Sequence, residues 1–254
     1  MYEHGNKNIK RMKKQYTIFL MIISCFISTG SSKTGPVKVA FWNVENLFDI
    51  IDDPKTNDED YLIGGRKNVT NETYNLKFQN ISKVINQIMP DILGLCEVEN
   101  RFVLNELNEY LKINYKIVHY ESPDQRGIDV GLLYNPNRVS IVESSPIKVI
   151  LSSGKPTRDI LYVHCKKDDI SLHLYVNHWP SKYGGVKKTI PSRAKAAMTL
   201  RQHIVSLLKQ DGDAEIVVMG DLNDEPHEPS VLKHLGASLD SSSVQGDENI
   251  LWNL

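Results

Sequence analysis

The chain reads as α+β or as a sheet sandwich with helices outside. Three observations predict this. Short apolar runs of strand length recur along the sequence. Three longer segments carry apolar residues at helical spacing. Strands and helices are mixed without strict alternation, and no internal repeat or low-complexity tract intervenes. The 254 residues are 41% hydrophobic and 24% charged, a composition that excludes a disordered or fibrous chain.

Taken in order, residues 37–42 form an apolar run that predicts a buried strand. Residues 52–67 are rich in Asp and Gly and predict a loop. Over 71–89, Ile81, Val84, Ile85 and Ile88 recur at helical spacing, with Thr70 or Asn71 as cap and Pro90 as stop. Residues 91–98 predict a second buried strand. A second helix is expected over about 101–111, with Val103, Leu104, Leu107 and Leu111 on one face. Strands are expected at 115–120, 129–134, 160–165 and 172–177, the last two joined as a hairpin about Lys167, Asp168 and Asp169. A third helix is expected over 192–209, preceded by Pro191 and striped by Leu200, Ile204, Leu207 and Leu208. Residues 215–219 close the series as a buried strand ending at Gly220-Asp221.

The N-terminus predicts a targeting segment over residues 1–32. Lys7, Lys10, Arg11, Lys13 and Lys14 precede an apolar stretch over 17–27, followed by small polar residues. This is the layout of a secretory signal, and the apolar stretch is short for a membrane span. Met12 would itself serve as a normal start for such a signal. The expectation is export, secreted or periplasmic, with lipid anchoring at Cys25 as the alternative. Cys96 and Cys165 sit in apolar runs; an exported protein permits a disulfide, and two buried thiols fit equally. No cysteine or histidine spacing points to zinc. The net charge of -1 gives no bulk attraction to nucleic acid or anionic lipid, which argues against a DNA-packaging role.

Three strand ends carry oxygen donors: Asn43 and Glu45 after Phe41-Trp42, Glu97 after Leu95-Cys96, and Asp221 and Asn223 after Met219-Gly220. Hard cations such as Mg²⁺ take oxygen ligands, and ligands from several strand ends fit a metal-assisted phosphoryl site. His178 ends a further apolar run, ahead of Trp179-Pro180. Singly, each has a plain reading: a solvated carboxylate, a common Gly-Asp turn, a structural histidine. Their joint occurrence in this order favours chemistry.

The stretches FWNVENLFD from Phe41, DILGLCEVEN from Asp91, RGIDVGLLYNP from Arg126, VNHWPS from Val176, SRAKAA from Ser192 and MGDLNDEP from Met219 carry a resemblance. Over about 37–229 the chain resembles the endonuclease/exonuclease/phosphatase superfamily. This superfamily includes deoxyribonuclease I-like enzymes, repair nucleases, inositol polyphosphate phosphatases and neutral sphingomyelinases. The resemblance implies a four-layered α/β/β/α sandwich over residues 36–254, with a site at one edge. It implies Glu97 as the main metal ligand, helped by Asn43 and a second acidic residue, Glu45. It implies His178 contacting or protonating the scissile phosphate region, Asp221 orienting or deprotonating the attacking water and Asn223 holding a phosphate oxygen. Arg126 and Arg193 are candidates for phosphate contact, with solvated surface arginines as the alternative. The implied cofactor is Mg²⁺, with Mn²⁺ or Ca²⁺ as substitutes.

The pattern also departs from the family. Family members end with a strand carrying an acidic residue and then an Asp-His pair; no Asp-His dipeptide occurs here. The expectation is a C-terminally shortened domain whose last strands are missing and whose activity is impaired. The leading expected function is an exported nuclease with nucleic acid, preferably DNA, as substrate. A phosphatase on small phosphate esters, a sphingomyelinase-type lipid phosphodiesterase and a non-catalytic phosphate-binding domain are the alternatives. No protein partner is implied.

Overall fold

The computed structural model describes residues 21–23, 35–246 and 250–254; the rest of the expected targeting segment lies outside the described residues. Two sheets face each other. The first has the order β1-β2-β3-β5-β4 and is built from β1 (Met21–Ile23), β2 (Val39–Leu47), β3 (Ile92–Val98), β4 (Lys116–His119) and β5 (Asp129–Tyr134). The second has the order β6-β7-β8-β9: β6 (Ser140–Ile147), β7 (Ile160–Lys167), β8 (Ile170–His178) and β9 (Glu215–Asp221). β2 and β3 run parallel, as do β8 and β9, so four strands end at the same rim of the sandwich in two neighbouring pairs.

The layers follow from the apolar faces. Val39, Phe41, Cys96, Val130 and Leu132 of the first sheet meet Leu161, Val163, Leu174, Val176 and Met219 of the second. Each residue between them points the other way, as the two-residue strand period requires. Ala40, Leu93, Leu95 and Leu133 therefore face helices α1 (Asn71–Ile88) and α2 (Arg101–Glu109) through Phe78, Ile81, Ile85, Val103, Leu104 and Leu107. On the opposite side, Tyr162, Tyr175 and Trp179 pack against Ala196, Ala197, Leu200 and Ile204 of α3 (Val186–Gln210). The result is the α/β/β/α sandwich.

The helix ends are built locally. The Thr70 hydroxyl accepts from the Thr73 amide, and the Thr73 side chain accepts from the Thr70 amide, a reciprocal cap. Asn100 caps α2 by accepting from Val103. α3 starts earlier than the sequence indicates, at Val186, and Pro191 lies inside it. A proline five residues into a helix lacks one ladder donor, so helical geometry continues upstream at the loss of that bond. Asp168 and Asp169 close the β7–β8 hairpin as expected, with Asp168 at a φ of 52°.

β6 was not legible as a strand. Its residues are largely exposed and it contains Pro146, which an edge strand tolerates because one side needs no ladder donor. Among the described residues β9 forms the opposite edge. The short strands β10 (Ala237–Ser238) and β11 (Leu251–Trp252) pair with each other in parallel, joined through α4 (Ser241–Gly246). Between β9 and this pair lies an apolar groove of about 290 Å³ lined by Val218, Leu222, Val231, Leu251 and Trp252. Cys96 and Cys165 are both buried and both free. No helix among the described residues is long and apolar enough to cross a membrane.

Candidate active site

The rim where β2, β3, β8 and β9 end gathers most of the expected residues. The strands do not reach it in regular form. β2 bulges between Asn43 and Leu47, and β3 between Cys96 and Val98. The bulged residues Glu45, Asn46 and Glu97 have φ of 52°, 59° and 60°, and Asn223 has 52°. Such left-handed conformations cost energy in non-glycine residues and persist where the surroundings hold them. Bulges re-aim side chains at strand ends, and here they turn Glu97 to the rim instead of into a sheet face.

The Asn43 carboxamide is the hub. Its Nδ2 donates to Glu97 Oε1 at 3.2 Å and to Asp221 Oδ2 at 3.0 Å. Its Oδ1 accepts from the Glu45 amide at 2.9 Å. The Asn46 amide donates to Glu97 Oε2 at 2.9 Å, and the Asn223 amide donates to Asp221 Oδ1 at 3.0 Å. Two carboxylates from different sheets thus share one donor. Among the described residues, no lysine or arginine forms an ion pair with either.

His178 lies beside them, its Nε2 3.8 Å from Glu97 Oε1. It is buried, and its Nδ1 has no hydrogen-bond partner among the described residues. Burial, then the charges of Arg158 and Arg126, hold the imidazole well below its ordinary value, so it is neutral at neutral pH. The segment carrying it is fixed through its backbone. Arg158 donates from Nε to the His178 carbonyl and from Nη2 to the Trp179 carbonyl, both at 3.0 Å, while Nη1 pairs with Asp124 at 2.6 Å. Asn223 Nδ2 donates to the Trp179 carbonyl at 3.0 Å. Gly220 makes the close approach possible: a Cβ there would lie 2.3 Å from the Asn177 carbonyl oxygen.

The remaining candidates divide. Glu45 sits on the bulge with an exposed side chain and joins the cluster through its backbone amide. Arg126 is half-exposed, pairs with Asp124 at 3.5 Å, and stands close enough for its charge to act on His178. Arg193 is elsewhere, which corrects the expectation of a phosphate contact and excludes its alternative, a surface arginine. It is fully buried in α3 with Nε 2.7 Å from Asp224, so it ties the loop after β9 to the helix layer. Sequence reading missed two positioning cations. Arg158 follows an unremarkable loop and acts on distant carbonyls. Lys77 looks like a solvated helix residue, yet its ammonium donates to the carbonyls of Glu45 and Asn46, capping the bulge. A cleft of about 300 Å³ adjoins, lined by Glu45, Asn46, Tyr61, Lys67 and Lys77.

A mixed α/β/β/α sandwich with acidic and amide side chains gathered at one rim defines the deoxyribonuclease I-like fold class. The chain belongs to the Endonuclease/Exonuclease/phosphatase family, whose model it matches over residues 38–254. These are hydrolases of phosphoester bonds. No curated protein matches the sequence. The solved structures agree in fold. The human nocturnin catalytic domain is 18% identical, with a TM-score of 0.57 over 86% of this chain and 77% of that one. The mannosyl-6-phosphatase of Bacteroides thetaiotaomicron is 16% identical, with a TM-score of 0.56 over 78% of this chain and 69% of its own. TDP2 from C. elegans is 17% identical, with a TM-score of 0.53 over 74% of this chain and 48% of its own.

Proposed function

We propose that the chain is an exported, Mg²⁺-dependent phosphodiesterase of the nuclease type. The observation that carries this reading is the pair of carboxylates, Glu97 and Asp221, joined through Asn43 and, among the described residues, in no ion pair with a lysine or arginine. Their donor set is oxygen, which suits Mg²⁺. Glu97 would hold the ion, with the exposed Glu45 as a further ligand, and the ion would supply charge neutralisation at the phosphate. Asn43, expected as a metal ligand, turns its Nδ2 to both carboxylates and its Oδ1 to the Glu45 amide, so it would position Glu97. Mn²⁺ or Ca²⁺ would occupy the same oxygens. Export is supported by the basic and apolar order of the N-terminal residues.

The protein's own groups supply position. Asp221 is oriented by Asn43 and by the Asn223 amide, which leaves its carboxylate edge to align a water for attack. Neutral His178 can share a proton with a phosphate oxygen without adding a full charge. Arg158 holds the His178 backbone still, and Arg126 approaches from the rim. Positioning and electrostatics supply most of the rate in phosphoryl transfer.

Substrate choice stays within one chemistry. DNA is the favoured substrate, while the Bacteroides mannosyl-6-phosphatase and the 2',3'-cyclic phosphatase ANGEL2 act on small or cyclic phosphates. Fold likeness does not choose among them. The test is hydrolysis of duplex DNA, bis(p-nitrophenyl) phosphate, a sugar 6-phosphate and sphingomyelin by purified protein in Mg²⁺, against Glu97→Gln. Cleavage of duplex DNA and bis(p-nitrophenyl) phosphate that EDTA and the variant abolish supports the reading. Turnover restricted to the monoester replaces nuclease with phosphatase, and turnover restricted to sphingomyelin replaces it with lipid phosphodiesterase. A second reading, a non-catalytic phosphate-binding domain, has its own support: among the described residues nothing hydrogen-bonds His178 Nδ1 to orient the imidazole as a base. Phosphate binding without turnover of any substrate would establish that non-catalytic reading.

A further inference from the structure

We propose a second cation site, separate from the Glu97 centre, in which His119, Asp129 and Glu121 take a transition metal such as Zn²⁺ or Mn²⁺. The strand register creates it. His119 lies opposite Gly131 in the β4–β5 pair, and Asp129 is two residues before Gly131 on the same face of β5. A Cβ on Gly131 would touch Leu104 of α2, so this face looks toward the helix layer and not into the core between the sheets. Glu121 enters from the segment that follows β4.

Ligand atoms from the three side chains all lie within 4.8 Å of one another. His119 Nε2 stands 3.2 Å from Asp129 Oδ2, and the two side chains are 2% and 1% exposed. Despite that proximity both atoms are buried without a hydrogen-bond partner among the described residues. A buried ring nitrogen and a buried carboxylate oxygen that face each other out of hydrogen-bond line are costly unless something satisfies both. A shared cation does. Two ligand atoms on a tetrahedral Zn²⁺, each at about 2.0–2.1 Å, are themselves about 3.3 Å apart, close to the separation found here.

The surroundings orient the carboxylate for that role. The Ser122 amide donates to Asp129 Oδ1 at 3.0 Å, and the Ser122 hydroxyl donates to the same oxygen. These bonds leave Oδ2 for the ion, the usual work of groups behind a ligand. Glu121 Oε1 is 3.8 Å from His119 Nδ1, and its side chain is 69% exposed, so the site opens to solvent on the Glu121 side. One imidazole with two carboxylates favours Zn²⁺ or Mn²⁺ over Mg²⁺ or Ca²⁺, whose sites are all-oxygen. An ion there would brace the segment between β4 and β5. That segment carries Asp124, which holds Arg158.

The experiment uses the full chain with its Glu97 centre disabled by Glu97→Gln, stripped by chelator and titrated with Co²⁺ as a visible probe and with Zn²⁺ by calorimetry. The expected result is one equivalent bound with a ligand-field band, lost on adding His119→Gln. Glu121→Gln, at an exposed position that does not threaten folding, is expected to weaken binding by at least about tenfold. No uptake by the folded Glu97→Gln protein would reduce His119 and Asp129 to a simple ion pair. Uptake indifferent to both His119→Gln and Glu121→Gln would place the ion elsewhere. Either overturns the proposal.

Discussion

Glu97 on the first sheet and Asp221 on the second are held together through a single nitrogen, Asn43 Nδ2, at 3.2 and 3.0 Å. Asn43→Ala removes that shared donor and leaves two carboxylates facing each other. Loss of an orienting group typically lowers metal affinity or activity by about 10–100-fold. The expected outcome is a rise of that order in the Mg²⁺ concentration giving half-maximal hydrolysis, measured in metal-buffered assays. Unchanged Mg²⁺ dependence would refute the hub role.

Lys77 ties α1 to the bulge by donating to the Glu45 and Asn46 carbonyls, the latter at 2.6 Å. Lys77→Met keeps the apolar stem and removes the donor; the exposed Glu45 carbonyl turns to water, while the part-buried Asn46 carbonyl loses its partner at a cost of about 1–3 kcal/mol. Urea unfolding should show a loss within that range. Activity should fall further than stability explains, because the Asn46 amide positions Glu97.

Glu99 is a buried carboxyl two residues beyond Glu97. Burial pushes it up to about 8 from an ordinary value of 4.5, and the bond it accepts from the Asp49 amide at 2.6 Å offsets part of that rise. The folded state therefore holds more protons than the unfolded chain between those two values. Its contribution to stability is complete below about 4.5 and is lost as pH rises through about 8. Glu99→Gln should remove this component. The gap in urea midpoint between variant and parent should widen in the variant's favour from pH 5 to pH 8.5. A constant gap would contradict the raised value.

Arg126 and Arg193 should separate cleanly. Arg193→Ala takes the buried guanidinium from Asp224, which keeps Lys182 and the Ser230 hydroxyl as partners, so stability should fall, but by less than the roughly 3–5 kcal/mol of a fully broken buried pair. Arg126→Ala, at a half-exposed position, should leave the unfolding midpoint in place. It should lower kcat/KM on the order of tenfold, about 1.4 kcal/mol. The reverse pattern would return Arg193 to the phosphate.

The layers and the gathering of most candidate residues at one rim were readable because both depend on local pattern. Asn43, Glu97, His178 and Asp221 each close an apolar run, and strand ends in one order are visible in sequence. The unread parts depend on distant backbone. Arg158 matters for the carbonyls of His178 and Trp179, and no spacing announces that. Lys77 and Arg193 occupy similar polar slots on helices, yet one caps a bulge and the other is sealed against Asp224. The fate of a charged helix residue is set by the loop that folds over it. β6 escaped notice because an edge strand is relieved of the apolar alternation that betrays inner ones.

The division of the site between two sheets makes the packing of the sandwich a ruler for the chemistry. Phe41, Gly94, Val176 and Met219 meet in the seam beneath the rim, where a Cβ on Gly94 would lie 2.9 Å from the Met219 sulfur. A methyl group too many there would slide one sheet across the other, and the gap between Glu97 and Asp221 would widen by the same amount. Turnover would then report the fit of residues that never approach a phosphate, beyond the roughly 1–3 kcal/mol of stability that an overpacked core loses.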